Sequence, residues 1–391
     1  MSVRRPPLVP RMAEHSVSIF AEMSTLALEV GAINLGQGYP DADGPDELKD
    51  VVISAIRDGR GNQYPPPHGL PLLREAIAEH QERFYGIGVD PVTEVVVGTG
   101  ASEVIQSALL ALVDEGDEVV VFEPWFDIYI AGISLARGVR VGVPMSGPDL
   151  RPDLVALEAA ITSRTRVILL NSPHNPTGVV FTLDELAEVA RIAIKHDVIV
   201  ISDEAYEHLW FDEHAHVPIS TLPGMWDRTI TVGSGGKSFS FTGWKVGWAS
   251  GPKELIAAVR VVRQHLSYVS GGPFQYAMAV GLGLPDSYFE DFRKDLQVKR
   301  DLLGGGLADL GFDVISPQGT YFITTDVRPL GYVDGLTFCR ELPSRAGVVA
   351  IPHQVFCDDP SIGAPYVRWA FCKKTEVLTE ALDRLTSGLR A

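Results

Sequence analysis

The chain of 391 residues carries 33 Lys and Arg against 50 Asp and Glu, a formal charge of −17 at pH 7. At about 150 residues per domain it has room for two or three, and its acidity argues against nucleic acid or an anionic membrane surface as partner. Three cysteines, Cys339, Cys357 and Cys372, lack C-x-x-C spacing, which argues against a disulfide framework and a cysteine zinc site and points to a reducing, cytoplasmic setting.

Arg4 and Arg5 have no apolar core behind them, which is not a signal-peptide pattern. No stretch reaches the roughly 18 apolar residues of a membrane span. The segment up to Gly44 reads as irregular and too short to fold alone, so it is expected to pack on a larger body. From about residue 94, runs rich in Val and Ile at 95–98, 119–122, 166–170, 198–202 and 229–233 alternate with amphipathic segments at 103–113, 154–161 and 183–194. Such alternation predicts an α/β protein with a parallel sheet covered on both faces. Ligands of such sheets bind beyond the carboxyl ends of the strands. Polar and glycine residues collect at four of those ends, 98–102, 171–178, 203–206 and 234–237. After about Pro285 a long polar helix at 287–304, short strands near Val314 and at 321–325, and a final helix predict a smaller α+β lobe.

Each cluster has competing readings. Gly98-Thr99-Gly100-Ala101-Ser102-Glu103 follows a strand and opens a helix, the arrangement of a phosphate site. It also invites a dinucleotide reading, with Glu123 about twenty residues on, but Glu103 stands where that fingerprint needs its third glycine. A plain tight turn is the third possibility. Ser234-Gly235-Gly236-Lys237-Ser238 fails as a Walker A loop, whose first glycine is Thr231 here, and as a serine acyl-transferase signature, which lacks its K-T-G element. What survives is a lysine among small neighbours, able to lose its proton by desolvation and attack carbonyls, or else a solvated surface lysine. Asp203 closes a buried strand and needs a cationic or hydrogen-bonding partner, a Lys or Arg or a protonated pyridine nitrogen. Asn171-Ser172-Pro173-His174-Asn175-Pro176-Thr177-Gly178 is a rigid turn aiming Asn171 and Asn175. His208, His214 and His216 near Asp212 and Glu213 lack H-E-x-x-H spacing and read as a solvated loop, with no metal assigned. Arg368, between Val367 and Trp369, suits bidentate capture of a carboxylate or stacking.

Taken in order, the phosphate turn, N-P-T-G, D-x-x-Y, S-x-x-K and a late arginine resemble the pyridoxal-phosphate aminotransferases of fold type I, from Asn34-Leu35-Gly36-Gln37-Gly38 through Val367-Arg368. Asn62-Gln63-Tyr64, Pro223-Gly224-Met225-Trp226 and Thr242-Gly243-Trp244-Lys245 are similar to the kynurenine/glutamine transaminase K branch. Leu266-Ser267-Tyr268-Val269 and Pro329-Leu330-Gly331-Tyr332 look like the actinobacterial N-succinyldiaminopimelate aminotransferases.

The resemblance implies a mostly parallel seven-stranded sheet in a large domain (45–285), a small domain (286–391), and an N-terminal segment (1–44) packed on the small one. It implies a cytoplasmic homodimer with shared active sites, pyridoxal 5′-phosphate as cofactor, and an amino acid and a 2-oxo acid as substrates. Lys237 would form the Schiff base and shuttle the Cα proton, Asp203 would pair with the pyridine nitrogen, and Tyr206 and Asn175 would bond the ring hydroxyl. Phe126, or failing it Trp125, would stack on the ring. Gly100, Ala101, Ser102, Ser234 and Lys245 would hold the phosphate, with Tyr64 reaching in from a second subunit. Arg368 would clamp the substrate carboxylate with Asn175 and Gly38, and Phe20 would lie near the side chain. Gly235-Gly236 would loosen the lysine loop. Ser270-Gly271-Gly272, where kynurenine-type relatives are bulky, implies a wider pocket suited to a longer acyl-amino acid. Beside transamination of N-succinyldiaminopimelate stand a glutamine, kynurenine or methionine transaminase with β-lyase activity on cysteine conjugates and, in another class, a nicotinamide-dependent oxidoreductase.

Overall fold

The computed structural model describes residues 6–16 and 18–389, so Arg4 and Arg5 lie outside it. The segment before Gly44 is not irregular. It contains a helix, Ile19–Val30, whose first turn is capped by the Ser18 hydroxyl accepting from the Phe20 N–H and whose end is closed by Gly31 in the left-handed region. This helix buries only Met23 and Ala27, so its sequence carries too narrow an apolar stripe to announce it. Strand β1 (Ile33–Asn34) then pairs in parallel with β12 (Val348–Val349), tying the segment to the C-terminal part of the chain.

The large sheet contains β2 (Val95–Thr99), β3 (Glu118–Glu123), β4 (Val139–Ser146), β5 (Arg151–Pro152), β6 (Thr165–Asn171), β7 (Ile199–Asp203), β8 (Thr229–Ser234) and β9 (Val246–Ser250), in the order β2-β9-β8-β7-β6-β3-β4-β5. The expected seven strands are present, and the two-residue β5 adds an eighth at the edge, antiparallel to β4. Apart from β5 only β9 runs against the rest. Every residue of β3 and β8 is buried, and side chains alternate between faces as the pleat requires. Val119 and Val121 join one apolar cluster with Ile201 and Val232, while Val120 and Phe122 join another with Ile168 and Val200.

Beyond the helix Asp286–Asp309, longer than its expected 287–304, comes an antiparallel sheet of β10 (Asp313–Ile315), β11 (Phe322–Asp326), β13 (Ile351–Pro352) and β14 (Tyr366–Ala370). Gly306 lets this helix meet the last one, Thr375–Leu389, because a Cβ there would lie 2.5 Å from the Leu382 methyls. Ile323 and Trp369 from the small sheet and Leu303 from the helix belong to the cluster that covers one face of the large sheet. The two sheets therefore share a core and leave a cleft at its edge.

Candidate active site

Strands β2, β6, β7 and β8 run the same way, so their carboxyl ends share one rim, and a cavity of about 390 Å³ opens there. Each end contributes a wall. After β2, Gly100 takes φ +75° and starts the helix Gly100–Leu112, whose first residues, Gly100, Ala101 and Ser102, line the cavity. A Cβ on Gly100 would lie 3.2 Å from Lys245 Nζ, and one on Gly247 would lie 2.4 Å from the Ala101 N. Glycine at both positions makes a cradle, and Lys245, whose Nζ donates to the Ser102 Oγ at 3.4 Å, adds a cation to it. A helix N-terminus with an adjacent lysine is an anion site. Glu103 turns back to accept from the Thr99 N–H and faces Arg263 at 3.8 Å. Glu123 is buried and accepts from the Asp358 N–H, so neither acid is free for a dinucleotide ribose.

After β6 the turn contains cis bonds before Pro173 and Pro176. The Asn171 side chain locks it, donating to the Asp203 carbonyl at 2.8 Å and accepting from the Asn175 N–H at 2.8 Å. After β7, Asp203 is 4% exposed and makes no close ion pair with Lys or Arg among the described residues, Lys237 acting on it only at longer range. Its partners are the Tyr129 hydroxyl (2.6 Å) and the Ala205 N–H (3.1 Å). Burial pushes its carboxyl up, while Tyr129 and the Ala205 N–H pull it down. After β8, Lys237 lies in a short helix, Gly235–Ser238. A Cβ on Gly235 would sit 2.2 Å from Met278 Sδ and one on Gly236 3.1 Å from Thr242 Cα, so the two glycines pack the lysine turn closely and do not loosen it. Burial lowers the Lys237 amine to about 8, against the pull of Cys372 and Asp203. A substantial neutral fraction near pH 7 to 8 gives the amine nucleophilic character.

The small sheet supplies the opposite wall. Arg368 on β14 is 2% exposed and donates to the Asn175 Oδ1 (3.0 Å) and the Gly36 carbonyl (2.6 Å). It lies over the Phe322 ring at 4.1 Å and the Phe20 ring at 5.1 Å. Its Nε has no partner, and no carboxylate pairs with it among the described residues. Burial lowers it to about 10, as expected of a buried guanidinium that lacks an anion. Gly38 must be glycine, since a Cβ would lie 2.5 Å from Phe322. Its carbonyl is held by Tyr321 and does not touch Arg368.

Lys237, Asp203, Tyr206, Asn175, Ser234, Lys245, Phe126, Gly38, Phe20, Arg368 and the 100–102 turn thus line one cavity. Tyr64 does not. It is 79% exposed and packs edge-on against Tyr268. Trp125 is buried outside the cavity, beside Arg140. Ser270, Gly271 and Gly272 do not line it either. His208 and His216 are buried, at 4% and 8% exposure, which corrects the solvated-loop reading for them, whereas Asp212 and Glu213 are exposed. His208 lies with His80 and Glu207 in a group whose candidate ligand atoms are within 4.8 Å of one another. The two Nε2 atoms share a 2.8 Å hydrogen bond and Glu207 accepts from Tyr85, while His80 Nδ1, 4.0 Å from Glu207, has no hydrogen-bond partner among the described residues. Tyr129 and Tyr321 are contributors that the sequence reading missed.

A mostly parallel sheet whose rim gathers an anion cradle, a lysine with a lowered pKa, and a buried carboxylate and a buried guanidinium that each lack a close ion pair defines an α/β protein with a polar, reactive cleft. The chain belongs to the aminotransferase class I and II family, which it matches over residues 30–385, and is an aminotransferase. It is 46% identical over 389 residues to the probable N-succinyldiaminopimelate aminotransferase DapC of Mycobacterium tuberculosis, covering 97% of this chain and 98% of that protein. The solved N-succinyldiaminopimelate aminotransferase from Mycobacterium tuberculosis superposes with a TM-score of 0.94 at 46% identity, over 97% of this chain and 99% of that one. A kynurenine–oxoglutarate transaminase of Dictyostelium discoideum is 38% identical over 405 residues, covering 94% and 93%.

Proposed function

We propose that this aminotransferase uses pyridoxal 5′-phosphate and moves the amino group of an N-acylated diamino acid, N-succinyldiaminopimelate, to a 2-oxo acid such as 2-oxoglutarate. The observation that carries the reading is charge without counter-charge. Asp203 and Arg368 are both buried, neither has an ion-pair partner, and both face the cavity that holds Lys237. A cofactor with a cationic ring nitrogen and a substrate with a carboxylate complete the two pairs. The cradle at Gly100 and Lys245 fits the phosphate.

Bound pyridoxal 5′-phosphate supplies an electron sink for cleaving a bond at the substrate Cα. The chain does the rest. Lys237 would hold the cofactor covalently, and its amine would take and return the Cα proton as general base and acid. Asp203, oriented by Tyr129, would hold the ring nitrogen, Tyr206 and Asn175 would hold the ring hydroxyl, and Phe126 would border the ring. Gly100, Ala101, Ser102, Ser234 and Lys245 hold the phosphate, with Tyr64 of a second subunit. Arg368, preset by Asn175 and Gly36, takes the substrate carboxylate, and Phe20 borders its side chain.

We also infer a large cofactor-binding domain over 45–285 and a small domain over 286–391 that receives segment 1–44, a division supported by the separate sheets and the β1–β12 pair. The homodimer is supported by Tyr64, which sits outside its own cavity. The cytoplasmic assignment rests on three free, buried cysteines. The substrate rests on the 46% identical relatives.

The purified protein should absorb in the visible when loaded, and Lys237→Ala should lose both the covalent band and turnover. A panel of N-succinyldiaminopimelate, methionine, glutamine and kynurenine with 2-oxoglutarate should give the highest kcat/KM for the first. A preference for kynurenine would move the chain to that branch, and full turnover in Lys237→Ala would refute the assignment.

A further inference from the structure

Among the described residues Lys237 has one direct hydrogen-bond partner, and it comes from the other side of the cleft. Its Nζ donates to the Tyr321 hydroxyl at 2.9 Å, and that hydroxyl donates to the Gly38 carbonyl at 2.6 Å. Tyr321 is 0% exposed and stands one residue before β11. The lysine turn after β8, the small sheet and the N-terminal segment therefore meet at one oxygen, with Tyr206 from the segment after β7 beside them.

A phenol has one proton to give. With that proton committed to Gly38, the oxygen can only accept from Lys237. An amine that donates one N–H to a fixed acceptor is held in place while its lone pair stays uncommitted. An acceptor–donor partner without this second bond could instead donate to the lone pair and occupy it. Burial raises the Tyr321 hydroxyl well above its ordinary range, so it remains a neutral phenol throughout the working range of the lysine.

We propose that Tyr321 is a positioning residue for Lys237: it anchors the amine released from the cofactor with its lone pair free for the substrate Cα proton, and it makes that geometry depend on the small sheet and the Gly38 segment being in place. The inference rests on the cofactor reading above. In the step concerned the Cα–H bond breaks, an N–H bond forms on Lys237, and the electron pair left on carbon passes into the bound cofactor. Tyr321 exchanges no proton in it. Nor does the tyrosine reach the substrate cavity, whose lining does not include it.

The test is Tyr321→Phe in the full chain. The loaded variant should keep its visible band, which shows that fold and cofactor reading stand. Its kcat should fall between about tenfold and a hundredfold, the scale of a misplaced reacting group, with KM for the amino donor little changed because Arg368 and Asn175 are untouched. The primary isotope effect with a Cα-deuterated donor should rise, since proton transfer becomes more rate-limiting.

A second readout needs no turnover. An oxygen that accepts from the amine favours its charged form, so in the cofactor-free chain the pH midpoint for acylation of Lys237 should move down in Tyr321→Phe. The other charged or titratable groups facing the amine, Asp203, Cys372, Lys245 and Arg368, are the same in both proteins, and the contribution of Tyr206, which also meets the Tyr321 hydroxyl, is read from the same titration of Tyr206→Phe. Site-specific 3-fluorotyrosine at 321 keeps the ring and both bonds but is a poorer acceptor, so it should shift the midpoint the same way by less. It serves where the phenylalanine variant does not fold. Equal midpoints and equal isotope effects across the proteins that fold would overturn the proposal. Absence of a visible band in the parent protein would sink the cofactor reading instead.

Discussion

Asp203 shows how much one hydroxyl decides. Its carboxylate sits at the mouth of β7 without a cation, and burial favours its neutral form. On the proposed reading a neutral acid could not hold a ring nitrogen protonated, so the groups that favour the charged form, the Tyr129 hydroxyl, the Ala205 N–H and, at longer range, Lys237, would tune the proposed cofactor site. Tyr129→Phe removes one hydrogen bond to a charged group, worth about 1.5–3 kcal/mol. The Kd for pyridoxal 5′-phosphate, read by fluorescence titration, should rise about tenfold or more, while the visible band still forms at saturating cofactor; an unchanged Kd would show that the Ala205 N–H suffices. Asp203 itself was legible in the sequence because it ends an apolar run, and Lys237 because its neighbours are small. Arg368 showed as a guanidinium between apolar residues. Tyr129 and Tyr321 were not legible. One opens a helix and the other precedes a strand, and an aromatic residue there reads as core until the fold reveals what its oxygen touches.

At the level of elements, the segment 203–208 faces two ways. Asp203 and Tyr206 point to the cavity, while Glu204, Glu207 and His208 point into a buried polar network. Glu204 accepts from the Ser202 hydroxyl and pairs with His216 at 2.9 Å, Glu207 accepts from Tyr85 at 2.7 Å, and His208 shares a proton with His80. The network fastens this segment from beneath and makes stability depend on pH. Burial lifts Glu207 to about 7 from an ordinary 4.5, so its contribution is complete below about pH 4.5 and is lost as pH rises through 7. Burial lowers His80 to about 3 from 6.5, so its contribution is complete above 6.5 and is lost as pH falls towards 3. The slopes oppose, and Glu207→Gln separates them, because glutamine still accepts from Tyr85 but does not ionise. Between pH 5 and 8 the parent should lose about 2.5 kcal/mol relative to the variant, since each pH unit between folded and unfolded values is worth about 1.4 kcal/mol. Urea midpoints at the two pH values measure it, and parallel curves would mean that Glu207 stays protonated throughout. The sequence announced the central strands through unbroken Val and Ile. It hid β9, whose five residues include Gly247, and β4, where only two of eight residues are buried. The network was hidden too, because histidines beside Asp212 and Glu213 look solvated until the helix Pro71–Tyr85 covers them.

For the whole molecule, the unresolved arithmetic is that one residue of the expected cofactor set lies outside the cavity. Tyr64 is 79% exposed and leans on Tyr268, itself 44% exposed. Nearby helices show further apolar surface: Ile53 and Ile56 on Asp46–Arg57, Val261 and Leu266 on Lys253–Leu266. On the proposed homodimer such residues would be covered by a second copy, and twofold symmetry could carry each Tyr64 towards the other's cavity. Mixing two damaged chains tests this without any structure of the pair. Lys237→Ala has no reactive amine, and Tyr64→Ala should bind cofactor weakly. In a hybrid dimer one site combines Lys237 from one chain with Tyr64 from the other, and the second site lacks both. If Tyr64 acts across the interface, co-refolded hybrids isolated by differential tags should regain tight cofactor binding at one site per dimer and about half the parental turnover at limiting cofactor. If Tyr64 acts within its own chain, the hybrid's only lysine-bearing site keeps the weak binding of Tyr64→Ala, and no activity is restored at low cofactor.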